Sequence, residues 1–175
     1  MKIGVLSDTH LAVPTGRFHA VTQKIRNKRT IEDLHEIVQQ HLSDVELILH
    51  AGDFVEEAVF EMLQKFAPVK AVRGNMDHIA IQNRFPTCRI VEVNDFKIGL
   101  THGDGPPQGI VERVKQHFHD VDAIVFGHSH QPLNEKHDGI LFFNPGSPTD
   151  RIFAPYTSIG MLEVSDTITG RLIKL

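Results

Sequence analysis

Five short apolar runs in this chain each stop beside a side chain that resists burial. Ile3 to Leu6 is followed by Asp8-Thr9-His10, and Leu47-Ile48-Leu49 by Gly52-Asp53. Val69 to Val72 leads to Gly74-Asn75, Lys97 to Leu100 to Thr101-His102, and Ala123 to Phe126 to Gly127-His128-Ser129-His130. Continuous apolar runs of this length read as strands covered on both faces, as parallel sheets are. Helical periodicity separates the first three. Ile31, Leu34, Val38 and Leu42 follow an N-capping Thr30 with Asp33 three residues on, and Val55, Val59, Met62, Leu63 and Phe66 line a second helix. The order β-α-β-α-β calls for crossover connections and a parallel sheet.

The second half changes character. Ile90 to Val93 and Lys97 to Leu100 flank an Asn94-Asp95 hairpin turn, and Ile110, Val114 and Phe118 mark a helix after Pro106-Pro107. Segments near 131–136, 140–143, 158–164 and 168–174 read as successive strands, with Asp138-Gly139 as one of the turns. No repeat, linker or low-complexity tract divides the 175 residues. The expectation is one α/β domain spanning residues 1–175, with two packed sheets and helices outside.

Ligands bind beyond the carboxyl ends of strands in open α/β sheets, where loops converge. Asp8, His10, Asp53, Asn75, His102, His128 and His130 all fall at such ends. Seven nitrogen and oxygen donors distributed this way suit a binuclear metal site: a carboxylate bridges two cations, and neutral imidazoles and an amide oxygen complete the shells without adding charge. Each fragment alone is weak; the ordered series is specific. The donor set suits Mn, Fe, Zn, Ni or Co, with Mn the leading choice, and an Asn with several histidines argues against a pure Mg site.

Composition removes other classes. A formal net charge of −4 speaks against a dedicated nucleic-acid binder, and 7% aromatics with no Trp and one Tyr offer few stacking platforms for a nuclease. A lone cysteine, Cys88, excludes an intrachain disulfide framework and a thiolate-rich zinc site. No apolar run is long enough for a membrane helix and no signal-peptide pattern opens the chain, so a cytoplasmic location is expected.

The series SDTH, HAGD, RGNMD, THGD, GHSH and NPGS resembles the calcineurin-like metallophosphoesterases. The short chain and the NPGS after GHSH resemble the small phosphodiesterase subgroup, which includes the small subunit of retromer. The resemblance runs from Met1 past Ser147, with a longer first crossover. It implies a four-layer α-β-β-α sandwich of two mixed sheets. By position it places Asp8, His10, Asp53 and His130 at a first cation, with Asp53 bridging, and Asn75, His102 and His128 at a second. Asp53, Asn75 and His102 would also serve catalysis. The implied activity is hydrolysis of small phosphodiesters by a hydroxide shared between two divalent cations. The alternative is a catalytically weak protein-interaction scaffold on the same fold. Natural substrate and homo-oligomer formation stay open.

Two departures stand out. Many relatives carry a His after the Gly-Asn, which contacts the phosphate or protonates the leaving group; here Met76 holds that place. Neighbouring His78 reads as an exposed loop residue. The missing acid implies esters with stable leaving groups. Asp104 stands where the subgroup often has His, and either adds negative charge or orients His102.

Other features are expected to be structural. The basic stretch from Arg17 to Arg29, with Lys24, Arg26 and Lys28, reads as a solvated loop that could also attract phosphates. His50 should be hydrogen-bonded behind the site, Cys88 packed as a small hydrophobe, NPGS a supporting turn, and Arg151 a surface ion-pair partner. His19, His35, His41, His117, His119 and His137 show no pairing in sequence.

Overall fold

A computed structural model describes residues 1–11 and 29–175 of the chain. Most of the expected basic stretch therefore lies outside the described residues. Arg29, at its end, donates from its guanidinium to the Pro148 carbonyl and to Thr157 Oγ1.

The first sheet contains β1 (Lys2–Leu6), β2 (Leu47–His50), β3 (Val69–Ala71), β9 (Ser158–Val164) and β10 (Ile168–Lys174), in the order β10-β9-β1-β2-β3. β1, β2 and β3 run parallel, as their helical crossovers require, while β9 is antiparallel to both β1 and β10. The second sheet has the order β4-β5-β6-β8-β7. Its members are β4 (Cys88–Val93), β5 (Phe96–Thr101), β6 (Ala123–Val125), β7 (Leu133–His137) and β8 (Ile140–Asn144). The two hairpins are antiparallel, and β5, β6 and β8 are parallel.

Alternation along each strand builds the layers. Ile3, Val5, Leu47 and Leu49 face the second sheet, where they meet Ile98, Leu100, Ala123, Val125 and Phe143 in a buried inter-sheet core. Leu6 and Ile48 point the other way, into a core shared with three helices: α1 (Ile31–His41), α2 (Glu57–Leu63) and α3 (Ile79–Arg84). The outer face of the second sheet packs Ile124 and Phe142 against Ile110 and Val114 of α4 (Ile110–Lys115). The stack is helix, sheet, sheet, helix, the four-layer sandwich of two mixed sheets.

Local chemistry explains the helix starts. Thr30 Oγ1 accepts from the Asp33 N–H while Asp33 Oδ2 accepts from the Thr30 N–H, a complete capping box ahead of α1. Two helices are shorter than their periodicity suggests. Val55 precedes α2 in a left-handed conformation, φ 73°, and Phe118 lies beyond α4. The turn at Ile79–Arg84 carries too few apolar positions for its period to show in the sequence. No helix among the described residues is long and apolar enough to cross a membrane.

Candidate metal centre

The carboxyl ends of β1, β2 and β3 meet those of β5 and β6 along one edge of the sandwich. All seven candidate residues come together there. Asp8, Asp53 and His102 form a buried floor; His10, His128 and His130 are half-buried around it, and Asn75 is exposed at the rim.

The loops crowd because glycines let them. A Cβ on Gly127 would lie 2.7 Å from both Asp8 Oδ2 and Ser7 Cβ. One on Gly52, at φ 88°, would lie 2.8 Å from the Gly74 nitrogen and from His102 Nδ1. Five of the seven candidates are themselves left-handed: Asp8, His10, Asp53, His128 and His130 have φ between 44° and 65°. Such backbone persists only where the surroundings over-determine it, and it concentrates at functional sites.

Hydrogen bonds supply that determination. The Asp8 N–H donates to the Gly52 carbonyl and the His10 N–H to that of Asp53, zipping the first two loops together. Asp77 ties the second to the third: its buried carboxylate accepts from the N–H groups of Asp53, Val55 and Gly74. Burial raises the Asp77 pKa, and those donors oppose the rise. The NPGS turn fastens the first loop to GHSH. Ser147 Oγ donates to the Asp8 carbonyl, Ser7 Oγ to that of Gly146, and Asn144 Nδ2 to that of Gly127.

Each of three imidazoles holds its outward nitrogen on an acceptor. His102 Nδ1–H donates to the Ala51 carbonyl at 2.7 Å, and His128 Nε2–H to the Gly105 carbonyl at 2.9 Å. His130 Nδ1–H donates to Asp150 Oδ2 at 2.5 Å. The opposite nitrogens then face inward with lone pairs. Inside the basin, imidazole nitrogens and side-chain oxygens crowd together. His10 Nε2 and His130 Nε2 are 3.2 Å apart, His130 Nε2 and Asp8 Oδ1 3.3 Å, and His102 Nε2 and Asp53 Oδ2 3.3 Å. Asn75 Oδ1 sits 3.2 Å from His102 Nε2 and 3.0 Å from His128 Nδ1. A cation holding two donors at about 2.1 Å and 90–110° apart sets them about 3.0–3.4 Å from each other. The donor set fits divalent cations on that ground. Two groups could each hold one ion, Asp8–His10–His130 and Asp8–Asp53–His102. Asp53 Oδ2 also lies 3.6 Å from His10 Nε2, so both carboxylates face both groups.

Without a cation the same convergence favours protons. Burial lowers the pKa of His102, but the hydrogen bond to Asp53 and the charges of Asp8 and Asp53 outweigh it and take the imidazole up to about 9. For His130, burial is likewise outweighed by Asp8 and Asp150, again to about 9. Burial keeps His10 below the ordinary range. Asp53 resists the upward push of burial and stays below the usual carboxylate range because His102 and the Met76 N–H bond to it.

The remaining expectations sort out by contact. Met76 is 58% exposed and gives the basin only its backbone N–H, donated to Asp53 Oδ1 at 2.7 Å. His78 is exposed and faces Glu56, 3.4 Å away. Asp104 does not orient His102; its carboxylate faces Arg113, and the Ala51 carbonyl does the orienting. His50 is buried behind the site, with Nε2 3.3 Å from Thr9 Oγ1, and burial pushes its pKa down to about 3. Cys88 is half-buried against the core beneath α4. Arg151 makes no ion pair among the described residues.

Three supports escaped the sequence reading. Asp150 holds His130, and its only signal is a carboxylate three residues after NPGS. Asp77 is the last residue of GNMD. Arg113 donates to the carbonyls of Asp104, Pro106 and Gln108, clamping the loop whose Gly105 carbonyl holds His128. No local pattern marks that role.

Known proteins share this fold. Residues 1–167 match the calcineurin-like phosphoesterase superfamily domain. A probable metallophosphoesterase of Methanocaldococcus jannaschii is 37% identical over 180 residues, covering 100% of this chain and 82% of that protein. Among solved structures, an archaeal phosphodiesterase superposes with a TM-score of 0.71 at 27% identity, with 100% of both chains covered. Vps29 of Entamoeba histolytica, solved with Zn2+, shares the fold at 20% identity and a TM-score of 0.69, covering 99% of each chain. With its two-sheet sandwich, its loop-borne carboxylates and imidazoles and a match along nearly its whole length, the chain belongs to the calcineurin-like phosphoesterase superfamily.

Proposed function

We propose that the chain hydrolyses small phosphodiesters at a pair of divalent cations held by Asp8, His10, Asp53, Asn75, His102, His128 and His130. The observation that carries this reading is the convergence of imidazole nitrogens, carboxylate oxygens and the Asn75 amide oxygen, 3.0–3.3 Å apart, inside one basin. A scaffold that had lost turnover would have no need to keep so complete a donor set. When bound, two such cations supply positive charge to phosphoryl oxygens and acidify water near neutral pH. The chain's own groups do the rest. The buried floor of Asp8, Asp53 and His102 holds charge out of bulk water, and the rim of His10, Asn75, His128 and His130 leaves the basin open to a phosphoryl group. The outward hydrogen bonds keep three imidazoles from rotating as charge develops.

Protonation of the leaving oxygen is the step for which these residues are least equipped. Met76 has no acidic proton, and His78 is drawn to Glu56. Esters with stable leaving groups are therefore the preferred substrates. For a series of aryl phosphodiesters with manganese added back to metal-free protein, kcat/KM should fall steeply as leaving-group pKa rises. A flat dependence with chemistry rate-limiting shows that a protein acid is present. Failure of every added metal to bind or support turnover overturns the hydrolase reading.

A further inference from the structure

We infer that Asp150 is a positioning residue of the metal centre. It fixes His130 in the tautomer whose Nε2 lone pair faces Asp8 and His10, and thereby sets how tightly that half of the basin holds its cation. The inference rests on the binuclear reading above.

The outward partners of the three imidazoles are not equivalent. His102 and His128 donate to backbone carbonyls, whereas His130 donates to a carboxylate. A hydrogen bond to an ionised acceptor is shorter and roughly twice as strong as one to a neutral acceptor. A carboxylate on the far nitrogen also makes an imidazole a more basic ligand.

Asp150 is held in place for this task. Its N–H donates to Ser147 Oγ, and that hydroxyl donates to the Asp8 carbonyl, so the loop carrying Asp150 is fastened to the loop carrying Asp8. Its Oδ1 accepts from the Ile152 N–H at 2.8 Å, and the Phe153 N–H is shared between Oδ1 at 3.2 Å and Oδ2 at 3.3 Å, which fixes the plane of the carboxylate with Oδ2 against His130. Its side chain is 10% exposed, so water competes little for the bond. No other carboxylate bonds to the outward nitrogen of a candidate ligand among the described residues.

Asp150→Asn separates positioning from loop structure. The amide oxygen can keep the Ile152 and Phe153 N–H groups, which turns the NH2 toward His130 Nδ1. That nitrogen must then accept, its proton moves to Nε2, and the lone pair facing Asp8 and His10 is lost. In calorimetric titration of metal-free protein with Mn2+, the wild type should show two sites. The Asn variant should weaken one of them about 10–100-fold and leave the other within about threefold. Asp150→Glu should recover part of the loss, and the thermal midpoint of the metal-free Asn variant should stay near that of the wild type. Two sites of unchanged affinity in the Asn variant overturn the positioning role while leaving the metal centre intact. Absence of Mn2+ binding to the wild type overturns the binuclear reading and this inference with it. If the variants fail to fold, nitrogen-15 NMR of zinc-loaded wild type decides: a proton on His130 Nδ1 supports the inference, and one on Nε2 overturns it.

Discussion

Without a cation, carboxylates take the pKa values of His102 and His130 up to about 9, well above the 6.5 of a free imidazole: Asp53 and Asp8 act on His102, and Asp8 and Asp150 on His130. Two consequences follow for the metal-free chain. A pKa raised on folding contributes stability that is fully present below about pH 6.5 and is lost as pH rises through about 9. The thermal midpoint of metal-free protein should therefore fall across that window. Metal uptake must also displace these protons, so Mn2+ affinity should rise with pH up to about 9 and level off above it. Titration calorimetry at pH 7 in buffers of different ionisation enthalpy should register proton release. Uptake that releases no protons would show that His102 and His130 are not among the ligands. His50 marks the contrast: only one of its nitrogens finds a partner among the described residues, and burial keeps it neutral.

At the scale of elements, the strand ends matter less than the loops that leave them. β1, β2, β3, β5 and β6 deliver their donors to one edge, but left-handed residues, glycines and side-chain caps turn those donors inward. Gly127 tests this. Nothing in its own backbone conformation demands glycine; the Asp8 carboxylate and the Ser7 side chain occupy the space a Cβ would need. Gly127→Ala should cost about 1–3 kcal/mol, as overpacking does. It should also displace Asp8, whose two oxygens accept from the neighbouring His128 N–H. The expected outcome is a denaturant midpoint shifted down with an unchanged m-value, together with loss of bound metal. Full metal content in the variant would mean that the GHSH loop can back away without cost.

The basin belongs to the molecule rather than to either sheet. Asp8, His10, Asp53 and Asn75 come from the loops of the first sheet, and His102, His128 and His130 from those of the second. Cations held there would thus join the two halves across their shared core, in addition to Phe143 and its inter-sheet neighbours. A ligand present at 100 times its Kd stabilises by about 2.7 kcal/mol. For a chain of this size, removal of each cation by a chelator should lower Tm by about 5–10 °C. Calorimetry with and without chelator measures this, and an unchanged Tm would mean that the folded chain holds no cation more tightly than the unfolded one.

Apolar runs and helical periodicity were enough for the chain order of the ten strands and for three of the four described helices, because each pattern is written into its own segment. Periodicity failed at α3, whose single turn-and-a-half is too short to show a period, and at Val55, which continues the apolar spacing of α2 but is pulled out of the helix by the Asp77 carboxylate. The seven candidate donors were legible for a similar reason: each sits at the end of its own apolar run. What holds those donors in orientation was not legible. Asp77 bonds loops that are 24 residues apart, Asp150 reaches an imidazole 20 residues away, and Arg113 acts on His128 only through the carbonyl groups of an intervening loop. The sequence by itself determined which groups the strands would carry to the sheet edge, since that depends on local pattern. Only the tertiary structure decided which nitrogen of each imidazole faces inward, because that is set by an acceptor on a different loop.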